Sequence, residues 1–156
     1  MKRVVLILIG ILGLIIFAAS CSQITAPPNF SVTDTSILGA IVTPSTASIA
    51  IDDITIENNT TVATKLDKIW YQYILNGTIL YNPAGNGDTL YTFSALLDTN
   101  TTYQIVNIVV PFDSIVNDYM FTNDIESITL RLFISGVDNY GYNKRYTTST
   151  DFSVNQ

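Results

Sequence analysis

The sequence predicts an all-β protein, an antiparallel sandwich of seven to eight strands preceded by one apolar N-terminal helix, with a small closed β-barrel as the alternative architecture. Three observations carry this. β-Branched and aromatic side chains dominate, with twenty threonines and nine tyrosines in the chain, the types that favour pleated, half-buried surfaces. Helical signals are thin beyond the first twenty residues: glutamate occurs only at Glu57 and Glu126, and alanine and leucine do not recur at i, i+3, i+4 over any long stretch. Turn residues punctuate the chain at intervals of roughly 8 to 15 residues, the spacing of a sandwich rather than of alternating strands and helices.

Period-two alternation between those turns places the strands. Residues 36–43 form the first, ended by Pro44, and residues 48–58 the second. In the second, Ile49 and Ile51 share one phase and Ile54 and Ile56 the other, so Asp52 and Asp53 mark a bulge. Residues 65–75 are the third, with Ile69, Tyr71 and Tyr73 on one face and Trp70, Gln72 and Ile74 on the other. Trp70 is assigned to the core, where large rings usually sit. Asn76-Gly77 signals a tight hairpin into residues 78–81. Residues 82–88 are a loop, residues 89–97 and 103–111 are strands split by a turn at 98–101, and residues 112–124 read as an irregular loop. Residues 127–135 alternate most cleanly, residues 136–141 turn, and residues 142–154 close the domain.

The N-terminus has a different logic. Lys2 and Arg3 precede sixteen apolar residues, 4–19, and small residues 18–20 lead to Cys21, the one cysteine of the chain. As a helix the apolar run spans roughly 24 Å, short of the roughly 30 Å hydrocarbon core of a bilayer, so it reads as an export signal rather than a permanent span. The pattern around Ser20-Cys21-Ser22 resembles the signal peptide of a bacterial lipoprotein, with Ala18 where that family prefers leucine. The resemblance implies a signal helix over residues 1–20, cleavage before Cys21, and acylation of that cysteine with more than one chain, which holds a protein stably to a membrane where a single chain does not. Residues 21–29 are then the lipidated cysteine and a tether containing Pro27-Pro28, and residues 30–156 the sandwich. Ser22 stands where an aspartate favours inner-membrane retention in enterobacterial lipoproteins, so the resemblance leans towards the outer membrane. A second, narrower resemblance covers about twenty residues. The segment from Ile134 to Gly141 and the strand ending Phe152-Ser153-Val154 look like the terminal hairpin of bacterial immunoglobulin-like or fibronectin-type-III-like surface domains, without the Cys-Trp-Cys core of antibody domains.

Charge narrows the partners. The chain carries a formal −6, and loss of Lys2 and Arg3 with the signal takes it to −8, leaving Lys65, Lys68, Arg131, Lys144 and Arg145. So acidic a domain with scattered cations repels phosphate backbones, which excludes nucleic acid as the expected partner. Histidine is absent, removing the commonest general base and transition-metal ligand. With Cys21 acylated no thiol remains. Serine-lysine chemistry would need Lys65, Lys68 or Lys144, and no Ser-x-x-Lys occurs. The expectation is a protein that is not an enzyme and has no cofactor.

Two ligand readings stay open. Calcium takes six to eight oxygen ligands, and three clusters offer them: Asp52, Asp53 and Glu57; Asp113, Asp118, Asn123, Asp124 and Glu126; and Asp138, Asn139 and Asn143. None matches the spaced loop pattern of a calcium hand. Turn chemistry, in which Asp and Asn bond their own backbone, is the preferred reading, and Asp113, Asp118, Asp124 and Glu126 are the best calcium set. Tyr140, Tyr142 and Tyr146, read as exposed near the last hairpin, are the candidate glycan-stacking residues. The glycosylation-type triplets at Asn58, Asn59, Asn76 and Asn100 follow from abundant Asn and Thr. The favoured function is a membrane-anchored envelope lipoprotein held by membrane lipid through Cys21, acting as a non-catalytic binding, adhesive or assembly module towards another envelope protein. The alternative is a lipoprotein that captures glycan or calcium.

Overall fold

The computed structural model describes residues 28–35, 40–83, 89–140 and 144–156. The signal segment, Cys21 with the tether up to Pro27, the 36–39 portion of the first expected strand, most of the loop before β6 and Tyr142 lie outside these residues. Among those described the protein is an all-β sandwich and is not closed into a barrel. Nine strands and one helix follow in order: β1 (Ser31–Thr35), β2 (Ala40–Ile41), β3 (Ser48–Asn58), β4 (Thr64–Leu75), β5 (Thr78–Tyr81), β6 (Tyr91–Leu97), β7 (Thr101–Pro111), α1 (Ser114–Thr122), β8 (Ser127–Asp138) and β9 (Arg145–Asn155). A three-stranded sheet runs β1-β3-β7, and a larger one runs β2-β9-β8-β4-β5 with β6 also paired to β4. All pairs are antiparallel except the two-residue pairing of β2 with β9.

Alternation explains the core. Ile49, Ile51, Ile54, Ile56, Ile108 and Val110 of the small sheet face Leu66, Ile69, Tyr71, Tyr73, Leu130, Leu132, Ile134, Phe152 and Val154 of the large one, all buried. Each such side chain contributes roughly 1.5–3 kcal/mol when taken out of water. The phase change in β3 occurs at Asp52-Asp53, as its isoleucines require. It is not a one-sided bulge, because Val106 and Asn107 of β7 also both face outward and the β3–β7 register is the same on either side: Ile51 opposes Ile108 and Asp53 opposes Val106. Asn107 takes φ 55° to make the matching step, a conformation asparagine tolerates better than most residues.

Four further expectations are corrected. Trp70 is not in the core. Ile69, Tyr71 and Tyr73 hold the inward phase of β4, so Trp70 is left half-buried on the outer face, stacked on Phe133 directly across the β4–β8 pair with centroids 5.3 Å apart and planes 7° from parallel. Residues 112–124 are not an irregular loop but contain α1. Its composition is β-branched and aromatic, and two turns bury only Val116, Asn117 and Met120, too few for a clear 3.6-residue period. Residues 136–138 continue β8 rather than turning. Gly136 is there for close approach, since a Cβ on it would stand 2.5 Å from Thr64 Cγ2 and 3.1 Å from the Lys65 carbonyl oxygen. A strand precedes every expected one, β1, where Val32 is the lone apolar residue and pairing with β3 sets the strand; of the strand expected at 36–43, the described residues 40–43 are strand at Ala40–Ile41, which is β2.

Tyr73 ties the sheets together. Its ring meets Tyr71 and Phe112 edge-on at 5.6 and 5.5 Å, and its hydroxyl donates to the Pro111 carbonyl at 2.9 Å. Burial, helped by Tyr71 and Asp113, pushes its phenol far above the ordinary tyrosine range. The native state therefore keeps a proton that the unfolded chain loses above about pH 10, so stability is full below that pH and falls above it by up to about 1.4 kcal/mol per pH unit. Urea midpoints measured at pH 8 and pH 11 should show this loss, and Tyr73→Phe should flatten it.

Candidate functional site

The described chain enters at one end of the sandwich. Ser31 pairs with Glu57, which opposes Thr102, so β1 begins where β3 ends, where β4 and β7 begin, and where β6 and β8 finish. Asn58 pins this end. Wholly buried, it donates through Nδ2 to the carbonyls of Val62 at 2.9 Å and Leu97 at 3.3 Å. Its Oδ1 accepts from Thr60 N at 3.1 Å and Thr60 Oγ1 at 2.7 Å. The triplet that reads as a modification site is thus a satisfied internal clamp. Phe30 closes the same end, edge-on to Tyr146 at 5.3 Å.

The opposite end is built by α1, the β4–β5 hairpin and the turn before β3. Asp113 caps α1, its Oδ1 accepting from Ile115 N at 2.8 Å, a bond that satisfies an orphan helix donor. Asn117 reaches the other way, donating to the Thr46 carbonyl at 3.0 Å and holding that turn against the helix. At the hairpin, Asn76 at φ 48° and Gly77 at φ 80° form the primed type of turn that matches strand twist. Among the described residues, nothing lies upon one face of the helix. Between α1 and β5 lies an open groove of about 600 Å³ lined by Ile79, Leu80, Ile115, Val116, Asp118, Tyr119, Thr122 and Asn123. Ile79, Ile115 and Tyr119 are 51%, 67% and 44% exposed, and clustered exposed apolar side chains mark interaction surfaces more often than isolated ones do.

Both signs of charge occur in the entry half, where Glu57, Asp67, Asp98 and Asp138 accompany the cations, whereas the α1 end is acidic. Asp113, Asp124 and Glu126 flank α1 and Asp118 lies within it, with no cation from the described residues beside them in sequence or register. Lys65, Lys68 and Arg145 lie in the entry half, opposite Val137 or Ser135 of β8, and Lys144 follows in the β8–β9 turn. Arg145 Nη1 meets Asp67 at 2.8 Å. Arg131 forms a bidentate pair with Asp151 across β8 and β9, at 2.6 and 2.8 Å. The hydrogen bond raises the arginine and holds the Asp151 carboxyl below its usual range, though exposure on both sides limits the pair to a small stabilisation.

The acidic residues offered for calcium do not converge. Asp113 caps the helix, Asp118 lines the groove, Asp124 sits at φ 52° beyond the helix C-terminus, and Glu126 leads into β8. Among the described residues no three Asp, Glu, His or Cys stand together as a metal set. Asp138 does turn work, accepting from Tyr140 N at 3.1 Å and Lys144 N at 2.6 Å. Of the tyrosines offered for glycan, Tyr140 is 55% exposed, but Tyr146 is half-buried against Phe30 and correctly belongs with the core. Its strand phase points inward with Phe152 and Val154. Trp70 and Phe133, at 5.3 Å, are too close to lie side by side in one plane, so each gives a ring face to the other. Sequence reasoning missed the groove residues Ile115, Tyr119 and Ile79. The signal was the pairing of Ile115 with Tyr119 and of Val116 with Met120 at i, i+4 behind a capping aspartate.

A second cleft of about 310 Å³ opens where β6 and β7 part. There the Tyr91 hydroxyl donates to the Val109 carbonyl at 3.2 Å and accepts from its N–H at 3.1 Å, occupying a backbone pair that an added strand would use. No protein-family model and no curated protein matches this chain, so its functional reading rests on the residues themselves.

Proposed function

We propose that the chain is an envelope lipoprotein anchored through Cys21, whose sandwich is a non-catalytic module presenting the groove end to another envelope protein. The observation that carries the reading is the separation of the two ends: the chain enters at one, and the exposed apolar groove lies at the other. From Cys21 to Pro28 is seven residues, a reach of at most roughly 25 Å. The long axis, set by the eleven residues of β3, is roughly 33 Å at about 3.3 Å per residue. A domain held at Cys21 can tilt, but it cannot invert to press the groove end into the membrane. The groove therefore faces away from the anchor or to its side. The bacterial lipoprotein pattern and the terminal hairpin of surface-domain type support the same reading, as does the leaning of Ser22 towards the outer membrane.

The test is partitioning. The intact chain is expected in the membrane pellet after alkaline carbonate washing and in the detergent phase after cloud-point separation. A version in which residues 1–21 are replaced by an ordinary cleavable secretory signal is expected in the soluble fraction. An intact chain that washes off, or a replaced version that stays bound, would overturn the anchor.

A further inference from the structure

We infer that the groove between α1 and β5 binds a basic amphipathic segment of a partner protein, apolar on the side that enters the groove and carrying lysine or arginine at its margins. This rests on the module reading above and names the partner's chemistry. The apolar part follows from the lining: Ile79, Ile115 and Tyr119 are exposed on both walls of a groove of about 600 Å³, a size that accepts several apolar side chains. The charge follows from one carboxylate in the lining and from the acidic end on which the groove opens. Asp118 lines the groove, and Asp113, Asp124 and Glu126 stand on the same end of the domain. Arg131 and Arg145 already meet Asp151 and Asp67. An uncharged or acidic occupant would desolvate or repel these carboxylates, whereas a cationic one is steered to them and held.

A second copy is disfavoured by the same charges, since pairing two groove ends would set two acidic ends, each with Asp118 in its lining, against one another. Lipid is disfavoured by the anionic surface most membranes present, which repels the carboxylates of this end. An amphipathic helix laid apolar face down is the occupant that satisfies both lining and rim.

The experiment uses the full chain in its own membranes, with Tyr119→p-benzoyl-phenylalanine as a photo-cross-linker at the groove wall. The expected product is a cross-link to another protein whose captured peptide, read by mass spectrometry, has apolar residues flanked by Lys or Arg. Its yield should fall at least about tenfold in Asp118→Lys and in Ile115→Asp, both exposed positions whose change leaves the melting temperature nearly unaltered. The same cross-linker at Tyr140, on the entry end, should not yield that peptide. Capture of a second copy, of lipid, or of an acidic or uncharged peptide overturns the proposal, as does an absence of product or a yield indifferent to Asp118→Lys. The anchor is scored separately in the same membranes. Bound protein that fails to cross-link overturns the partner and leaves the anchor standing, while unbound protein that cross-links does the reverse.

Discussion

Tyr73→Ala is expected to lower unfolding stability by about 4 kcal/mol, the cost typical of truncating a large buried ring. The residue is wholly buried, and three separate contacts go with it: the edge-on ring contacts to Tyr71 and Phe112 and the hydroxyl bond to the Pro111 carbonyl. Edge-to-face ring pairs add about 0.5–1.5 kcal/mol each beyond the area they bury, and the abandoned carbonyl loses its partner. Phe112 and Pro111 lie just before α1, so the loss falls on the junction that seats the helix against the sheets. Urea denaturation followed by tryptophan fluorescence from Trp70 measures it. Tyr73→Phe separates the two parts, keeping the ring contacts while dropping the hydroxyl, and should cost only about 1 kcal/mol. Equal losses from the two variants would contradict the packing account.

Gly136→Val is expected to be nearly as damaging, at about 3 kcal/mol or more, by overpacking rather than by a cavity. The first added carbon meets Thr64 Cγ2 at 2.5 Å, the Lys65 carbonyl at 3.1 Å and Phe30 Cε1 at 3.2 Å. Thr64 is wholly buried and the Lys65 oxygen is backbone, so neither yields cheaply, and β8 must part from β4 at the entry end. Gly136→Ala carries the same first carbon and should also destabilise, by less. Limited proteolysis should show earlier cutting around Phe30 in Gly136→Val than in the parent chain. A valine variant as stable as its parent would show that the close approach is not a constraint.

Much of this fold was legible because burial imposes a period. Ile128, Leu130, Leu132 and Ile134 alternate without a break, and only the inward phase of a sheet is buried. The two isoleucine phases of β3 gave away the step at Asp52-Asp53. The same logic failed for Trp70, where residue type was weighed above phase although Tyr71 and Tyr73 already held the inward side. It failed at Gly136 because a glycine kept for contact looks the same in sequence as a glycine kept for a turn. β1 was invisible because Ser, Thr and Asp around one valine carry no period of their own, and β3 supplies its order by pairing. Of the candidate site, the acids were legible and their arrangement was not. Which side chains of α1 remain exposed depends on what Val116 and Met120 pack against, and that partner surface comes from strands far away in sequence.

Cys21 decides the direction in which the groove faces, since that direction follows from the anchor. Mass spectrometry of the protein extracted from its own membranes tests it most directly. The prediction is an N-terminal peptide beginning at Cys21, its sulfur carrying a diacylglyceryl group. An unmodified Cys21 within a chain that retains residues 1–20 would contradict the anchor, and with it the orientation of the groove.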